Sequence, residues 1–348
     1  MTSVSKKICF YLTTRGNYAK TATIIDVLKD DPDFELQYIV GGGCPSMEFH
    51  GPVRHITMIP TGTFTGTYKT AGLISMEAGV ILQELMPDAL VIVADRFECL
   101  PMAMVAFYMG IPIVHLEGGE RSACIDDKIR DAITHMATLH FPCTQRAYDR
   151  VAQLTGQTAN VFLAGATSFD MLRLHGDRKD TPPYVVSILH TNNIGRAHAE
   201  WQTKTLLWAL SDVGVETYWI RPNIDTDSDL INSMMNRIKW PHIRVMESLK
   251  IEEYAPLLAN AACFVGNSSS GIREAGYFGT PSVLMGDRQL NRERTPNVID
   301  VPCDSLAIRK AVQKQVEHGR YAPDYTYGDG FAGERIAKVL QGGINVAA

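Results

Sequence analysis

Two acidic residues in the first half of the chain are candidates for proton transfer. Glu117 follows the apolar run 112–116 and precedes Gly118, and glycine permits a ligand to approach the backbone closely. Asp126 begins a predicted amphipathic helix and shares one side of it with Arg130, four residues later. Paired carboxylates suit removal of a proton from carbon and protonation elsewhere. From the spacing alone, a helix-starting aspartate that pairs with Arg130 is the simpler explanation of Asp126.

Charged residues also follow two other predicted strands of the first half. Arg15 comes after the strand 7–12, and Asp95 with Arg96 comes after the nearly continuous apolar run 89–93. Because the carboxyl ends of parallel strands meet at one edge of a sheet, these loops are expected on the same rim as Glu117. Loops are polar in general, so solvation is the alternative explanation.

The second half contributes two further strand-end residues. His190 closes the predicted strand 184–189, and Asn223 follows the predicted strand 217–220. Both are expected to point towards a cleft, although a single histidine at a strand end is more often structural than catalytic.

The stretch 265–289 has the composition of a diphosphate site. Three hydroxyl residues, Ser268 to Ser270, open a short helix that Gly279 ends, and the start of a helix presents unpaired N–H groups and partial positive charge. Glu274 lies about one turn into that helix, where a carboxylate can accept hydrogen bonds from ribose hydroxyls. Arg288 follows the next strand and can clamp a phosphate. An ordinary serine cap with a solvated glutamate is the alternative.

Composition limits the class of protein. The 348 residues carry a net charge of −5 with a pI near 6.1, which argues against nucleic acid or an anionic membrane as partners. Seven scattered cysteines without a C-x-x-C pair disfavour a disulfide framework or structural zinc. No signal-peptide core or apolar stretch of membrane-spanning length is present, so a cytoplasmic location is expected.

Strands and helices alternate through both halves, which predicts an α/β fold with two doubly wound, Rossmann-like sheets that face a cleft. The predicted strands are 7–12, 35–40, 89–93, 112–116, 161–164, 184–189, 217–220, 243–245, 260–265 and 282–285. The predicted helices are 19–28, 74–85, 100–109, 126–140, 201–210, 229–239, 251–259 and 333–340, with a polar turn at 13–18 and a flexible loop at 41–43. The predicted domains are 1–175 and 184–330, joined by the linker 176–183 and followed by a closing helix within 331–348.

An ordered series of motifs spans nearly the whole chain. It comprises TTRGNYAK at 13–20, DRFE at 95–98, HLEGGE at 115–120, IDDKIRDAITH at 125–135, PNID at 222–225, GNSSSGIRE at 266–274, GDRQ at 286–289 and YGDGFAGERI at 327–336. Together these motifs resemble the UDP-N-acetylglucosamine 2-epimerases, and most closely the hydrolysing branch, which forms N-acetylmannosamine for sialic-acid-type sugars.

The resemblance implies a fold, a reaction and a set of site residues. The fold is the two-domain glycosyltransferase-B type, whose last helix packs back across the cleft, and homodimers or homotetramers are usual. The implied catalytic residues are Asp95, Glu117, Asp126 and His190, with no metal or other cofactor. The implied UDP or substrate ligands are Arg15, Lys20, Arg96, Arg130, Asn223, Asn267, Ser268, Ser269, Ser270, Glu274 and Arg288.

Three alternative functions remain open at this point. A non-hydrolysing epimerase would return UDP to the sugar and release UDP-N-acetylmannosamine. A hydrolysing enzyme could instead act on a UDP-diacetamido-trideoxy sugar, since departures from the family pattern, such as Thr191 after His190 and Asp131 after Arg130, lie on the sugar side. A nucleotide-sugar sensor or glycosyltransferase of the same fold has no evident need for three carboxylates in the cleft.

Overall fold

The structure is a computed structural model. It describes residues 5–44, 48–59, 64–94, 96–122, 126–179, 181–192, 194–222 and 227–343, and only the backbone of residues 15, 43, 64 and 65. Within these ranges the chain forms two six-stranded parallel sheets with helices packed against them. The α/β prediction is therefore confirmed.

The first sheet is ordered β3-β2-β1-β4-β5-β6. Its strands are β1 (Lys6–Thr14), β2 (Phe34–Gly43), β3 (Val53–His55), β4 (Ala89–Val93), β5 (Ile113–Leu116) and β6 (Leu139–Phe141). Every residue of β4 is buried, as expected for a central parallel strand covered by helices on both faces. The strand order reverses between β1 and β4, and ligands of such sheets collect at this switch point.

The second sheet repeats this plan, with the order β12-β11-β10-β7-β8-β9. Its strands are β7 (Tyr184–Ile188), β8 (Glu216–Ile220), β9 (Ile243–Met246), β10 (Cys263–Gly266), β11 (Ser282–Met285) and β12 (Val298–Val301). Here the switch point lies between β7 and β10. Gly266 ends β10 with φ +151, and a Cβ there would lie 1.9 Å from the carbonyl oxygen of Ile188. Only glycine fits this close approach of the two central strands.

Helices flank both sheets. They are α1 (Arg15–Leu28), α2 (Phe64–Leu85), α3 (Cys99–Tyr108), α4 (Asp126–Met136), α5 (Gln145–Thr155), α6 (Ser168–His175), α7 (Arg196–Val213), α8 (Ser228–Met235), α9 (Ile251–Asn260), α10 (Arg273–Phe278), α11 (Ser305–His318) and α12 (Ala332–Gln341). Within the described residues, none of them combines the length and apolar composition needed to cross a membrane. The cytoplasmic location stays a prediction.

The end of the chain returns to the first sheet. Ile336, Ala337 and Leu340 of α12 belong to the apolar core beneath β1. The carboxylate of Asp170 accepts hydrogen bonds from the backbone N–H groups of Ala332 (2.8 Å) and Gly333 (2.6 Å), which anchors the start of α12.

The segment that joins the halves also packs across them. Phe169 and Leu172 of α6 lie in the core of the second sheet, although they precede the predicted linker. The domain bounds predicted above stay a prediction.

Several predicted elements differ from the structure. The turn predicted at 13–18 is wrong, because β1 runs directly into α1: the side chain of Thr14 accepts the N–H of Asn17 and caps the helix. The loop predicted at 41–43 belongs to β2, which pairs with β1 as far as Gly43. The strand predicted at 161–164 is reduced to a single bridge between Val161 and His140.

Candidate active site between the two sheets

The loop after β5 brings Glu117 into the interior of the molecule. Glu117 is 4 % exposed and has φ +60, a left-handed conformation that costs a residue with a Cβ about 1 to 2 kcal/mol. The glycines after it allow the loop to pack tightly: a Cβ on Gly119 would lie 2.3 Å from the carbonyl oxygen of Ala147. The sequence and the packing therefore force this carboxylate inward at the end of the strand.

Two cations neutralise Glu117, one from each half of the chain. Lys20 of α1 forms an ion pair with Glu117 Oε2, and Arg273 Nη2 of α10 donates to Oε1 at 2.9 Å. Burial raises the pKa of Glu117, but the positive charges of Arg273 and Lys20 outweigh it and hold this pKa well below its ordinary value. The carboxylate is therefore ionised at neutral pH.

Glu120 extends the ion pairs across the cleft. Its Oε1 lies 3.4 Å from Arg273 Nη1, and its Oε2 pairs with Arg292, which also belongs to the second half. Glu120 is 7 % exposed. The interlobe network, as we call Lys20, Glu117, Glu120, Arg273 and Arg292, thus joins carboxylates of the first half to arginines of the second.

The start of α4 is organised around Asp127 as well as Asp126. Asp127 Oδ1 accepts from Arg130 Nη1 at 2.8 Å and from the backbone N–H of Ser122 at 2.9 Å. Arg130 also donates to the carbonyl oxygen of Glu120 and is 2 % exposed. Burial lowers the pKa of Arg130 to about 9. Arg130 is therefore held by Asp127, the residue after Asp126, although it shares a face of α4 with Asp126.

The serine-rich stretch forms a compact turn before α10. Ser268 accepts the N–H of Ser270 at 3.3 Å, residues 269–271 make one short turn of 3-10 helix, and the hydroxyl of Ser270 contacts that of Tyr254. In the described part of the chain, Oε2 of Glu274 is buried without a hydrogen-bond partner. A buried carboxylate oxygen that lacks a donor is an acceptor available to a ligand.

Asn267 ties His190 to the same region. The side-chain amide of Asn267 accepts the N–H of His190 and donates to its carbonyl oxygen, both at 2.8 Å. Arg288 Nη1 donates to the Asn267 carbonyl oxygen at 3.3 Å. Burial and the nearby charge of Arg288 lower the pKa of His190 to about 3. His190 is therefore neutral at pH 7, and Asn267 positions it through the backbone.

A cavity of about 240 Å³ lies between the loop of Glu117, the start of α4 and the serine turn; His190, Asn267 and Glu274 are not among the described residues that line it. Six of the predicted site residues line it: Lys20, Glu117, Asp126, Arg130, Ser269 and Arg288. Arg96 lies to one side, with its Nε 2.6 Å from the buried carboxylate of Glu98. Asp95, Asn223 and the side chain of Arg15 lie outside the described residues, so their roles stay predictions.

Sequence reasoning missed three charged residues that line the cavity. Glu120, Arg273 and Arg292 were given no role, although Glu120 and Arg273 stand inside motifs quoted above. Their signal was position: Arg273 stands in the same motif as Ser269, and Glu120 stands in the short loop that carries Glu117.

The described residues contain one group that could hold a metal ion. Donor atoms of Glu117, Glu120 and Cys143 all lie within 4.8 Å of one another. Both carboxylates are already paired with cationic side chains, and burial raises the pKa of the Cys143 thiol well above its ordinary value. A divalent cation would have to displace arginines and bind a protonated thiol, so these residues do not fit a metal site.

The two sheets, their matching topologies and the cleft between them define a two-lobed α/β protein of the glycosyltransferase-B type. The model of the family described as UDP-N-acetylglucosamine 2-epimerase matches residues 27–341, and the chain belongs to this family.

Relatives agree with this family assignment, and a solved structure agrees with the fold. The chain is 27% identical over 360 residues to a UDP-N,N'-diacetylbacillosamine 2-epimerase (hydrolyzing) of Legionella pneumophila, covering 97% of this chain and 96% of that protein. It is 27% identical over 366 residues to a UDP-N-acetylglucosamine 2-epimerase of Neisseria meningitidis, covering 96% and 95%. A crystal structure of UDP-GlcNAc 2-epimerase from Neisseria meningitidis bound to UDP-GlcNAc superimposes with a TM-score of 0.78 at 13% identity, covering 97% of this chain and 100% of that one.

Proposed function

We propose that the protein is a hydrolysing UDP-sugar 2-epimerase that converts UDP-N-acetylglucosamine and water into N-acetylmannosamine and UDP. The observation that carries the proposal is the cavity between the two sheets, which places the carboxylates of the first half opposite the serine turn and arginines of the second. Membership of the 2-epimerase family supports the same reaction.

The chemistry divides between the two halves. A carboxylate of the first half, Glu117, Asp126 or Asp95, removes the proton at C2. The C1–O bond then breaks, and its electron pair leaves with the β-phosphate of UDP, which gives a glycal with a double bond between C1 and C2. Water adds its hydroxyl group at C1, and a proton returns to C2 from the opposite face. The atoms balance as sugar nucleotide plus water giving the epimeric sugar plus UDP.

Residues of both halves stabilise the leaving group. Arg288 of the second half and Lys20 of the first half line the cavity and supply positive charge to the diphosphate, and Ser269 of the serine turn offers its hydroxyl as a donor. The unpaired oxygen of Glu274 is an acceptor for a ribose hydroxyl. Neutral His190 is a hydrogen-bond partner for a phosphate oxygen rather than a fixed cation.

A second substrate is favoured by a specific observation. Two relatives of this chain carry names that specify this substrate and hydrolysis: a UDP-N,N'-diacetylbacillosamine 2-epimerase (hydrolyzing) from Legionella pneumophila, 27% identical, and a GDP/UDP-N,N'-diacetylbacillosamine 2-epimerase (hydrolyzing) from Campylobacter jejuni, 29% identical. A UDP-diacetamido-trideoxy sugar is therefore the alternative substrate, for the same reaction at C2.

Proton NMR in D₂O tests the reaction and the substrate together. UDP-N-acetylglucosamine and UDP-N,N'-diacetylbacillosamine are incubated separately with the protein. We expect release of UDP together with a free 2-epimer that carries deuterium at C2. A UDP-linked epimer without free UDP would identify the non-hydrolysing reaction, and no deuterium incorporation from either substrate would refute the proposal.

Glu117→Gln tests the carboxylate assignment. The variant is expected to lose turnover because an amide cannot accept the C2 proton or hold Arg273 as an ion pair, while UDP still binds from the second half. Glu84→Gln is the matched control, since Glu84 pairs with Arg54 on the surface and is half exposed. Turnover equal to that of Glu84→Gln would remove Glu117 from the mechanism.

We also propose that the chain forms homo-oligomers through α2 and α3. These helices pack together and expose Met76 (76 %), Val80 (60 %), Phe107 (54 %) and Tyr108 (79 %). An apolar patch of this kind marks an interaction surface, and a twofold axis lets one patch bury its own copy. Sedimentation equilibrium should give a dimer or tetramer for the wild type and a smaller species for Val80→Glu; a monomeric wild type would refute the proposal.

A further inference from the structure

Arg273 is the cation that links the two halves at the candidate base. It is the first residue of α10, and its side chain is 6 % exposed. Its guanidinium lies 2.9 Å from Glu117 Oε1 through Nη2 and 3.4 Å from both Glu117 Oε2 and Glu120 Oε1 through Nη1. This is a forked contact, which fixes direction as well as charge.

The other side of the guanidinium is equally constrained. Its central carbon lies 5.5 Å from the ring centroid of Tyr327, which is 1 % exposed. The Tyr327 hydroxyl donates to the carbonyl oxygen of Glu293 at 2.8 Å, and its own carbonyl oxygen accepts the N–H of Ala166 at 2.7 Å. Arg273 therefore lies against a fixed ring and has little freedom to leave Glu117.

The two cations on Glu117 differ in mobility. The Lys20 side chain is 26 % exposed, lines the cavity and ends in a flexible ammonium group that can turn towards a diphosphate. The Arg273 guanidinium is planar and buried; carboxylates accept from its N–H edge, and the ring of Tyr327 lies against one face. When a substrate draws Lys20 away, Arg273 is the cation that stays on Glu117.

Arg273 also belongs to the segment that the proposed function assigns to the nucleotide. Ser269, four residues earlier, lines the cavity, and Glu274, the next residue, presents the unpaired carboxylate oxygen. A ligand that orders this turn therefore orders Arg273 as well.

We propose that Arg273 is a positioning residue for catalysis: it holds the Glu117 carboxylate of the first half in its working orientation and makes that orientation depend on the nucleotide turn of the second half. The inference rests on the proposed function. It deepens that function by naming the residue through which nucleotide binding reaches the base.

A positioning role has a signature in the pH dependence of turnover. Among the residues that the structure describes, the groups that face Glu117 are Lys20 of α1, His115 of β5, Glu120 and Cys143 of the adjoining loops, and Arg273 of α10. Without Arg273, burial is opposed by Lys20 alone in the free enzyme and by neither cation once a substrate draws Lys20 away, so the pKa of Glu117 should rise by about 1 to 3 pH units. The midpoint of the acid limb in the pH profile of kcat then shifts to higher pH by the same amount.

Three variants test the inference. Arg273→Gln removes the charge, and Arg273→Lys keeps the charge without the forked contact. Arg309→Gln is the control, since Arg309 is an arginine of α11 whose side chain is 36% exposed and pairs with Asp212. For Arg273→Gln we expect kcat to fall by about 100-fold, because the base is misplaced. The Kd for UDP should change by less than about threefold, since a nucleotide held by the second half does not touch Glu117.

The acid limb decides between positioning and a merely structural role. The midpoint pH of this limb should be higher in Arg273→Gln than in the wild type. In Arg273→Lys it should lie between those two values, and in Arg309→Gln it should equal the wild-type value. An unshifted limb in both Arg273 variants, or a fall in kcat matched by an equal loss of UDP affinity, would overturn the inference. If Arg273→Gln does not fold, Arg273→Lys carries the same test.

A crystal structure of Arg273→Lys gives a readout without turnover. We expect the Glu117 carboxylate to rotate away from its present contacts, and an unmoved carboxylate would overturn the inference. A wild-type protein that is inactive on every UDP-sugar would refute the proposed function instead, so the two failures are distinguishable.

Discussion

Two buried histidines beneath the candidate site should make the first half of the molecule sensitive to acid. His115 of β5 and His140 of β6 are partners in neighbouring strands, and both are fully buried. His115 Nε2 lies 2.9 Å from the carbonyl oxygen of Ala94 and donates to it, so the neutral ring ties the end of β4 to the loop of Glu117. Both ring nitrogens of His140 are buried without a partner among the described residues.

The size of the effect follows from the two pKa values. Burial lowers the pKa of His115 to about 4, and burial together with the charge of His115 lowers that of His140 to about 3. Between about pH 4 and the unfolded value of about 6.5, the unfolded chain binds protons that the folded chain does not, so the free energy of unfolding rises with pH. At pH 5 each histidine lowers the free energy of unfolding by about 2 kcal/mol relative to pH 7.

His140→Leu isolates one of these contributions. Leucine has no ring nitrogens to leave unpaired, so the variant should match or exceed wild-type stability at pH 7. Between pH 7 and pH 5 it should lose about 2 kcal/mol less than the wild type. Urea unfolding at both pH values measures the difference, with His55→Gln on the exposed strand β3 as the control. If His140→Leu and the wild type lost the same free energy of unfolding, the reasoning from buried neutral histidines would be refuted.

Two further substitutions test the backbone architecture. Gly266→Ala places a Cβ 1.9 Å from the carbonyl oxygen of Ile188, so we expect the free energy of unfolding to fall by about 3 kcal/mol or more, or the protein to be insoluble. Gly214→Ala is the control, because Gly214 has φ +69 and open space around it. In thermal unfolding this control should lose only about 1 kcal/mol. Asp170→Ala leaves two backbone N–H groups at the start of α12 without acceptors, which should cost about 2 kcal/mol and expose α12 to limited proteolysis. A cleavage rate equal to the wild type would contradict that anchor.

Continuous apolar composition made the central strands predictable. The run 89–93 is β4 to the residue, because an unbroken apolar stretch of 5 residues is too short for a buried helix and fits a strand that helices cover on both faces. The turn predicted at 13–18 failed where local chemistry opposed it. Gly16 and Asn17 are weak helix formers, but the Thr14 cap and packing against β1 override that preference.

Two helices of mostly polar composition were not predicted because their apolar face is narrow. No element is predicted above for α5 or α11, both of which are amphipathic with mostly polar residues. A narrow apolar stripe such as Ala147 and Val151 becomes visible only when the surface that it covers is known.

In the candidate site too, residues in local sequence patterns were predictable, and contacts between distant segments were not. Residues that end strands, such as Glu117, could be placed near the cleft, because parallel topology brings strand ends to one edge. The residues that pair with them could not be predicted. Arg273 and Glu117 are separated by 156 positions in the chain, and neither motif contains a local pattern that indicates the other as its partner. The roles inferred for the individual residues stay predictions.

The charge of the cavity explains how an acidic protein can hold an acidic ligand. The chain carries a net charge of −5, which taken alone repels a nucleotide diphosphate. Among the described residues that line the cavity, however, five are cations (Lys20, Arg130, Arg273, Arg288 and Arg292) and three are carboxylates (Glu117, Glu120 and Asp126). The cavity is therefore cationic by two charges, and a diphosphate esterified at both ends brings one negative charge on each phosphorus. Because walls of low dielectric focus this local field, the cavity attracts the ligand that the whole surface disfavours, and neutralisation by that ligand allows the arginines and carboxylates to stay close together.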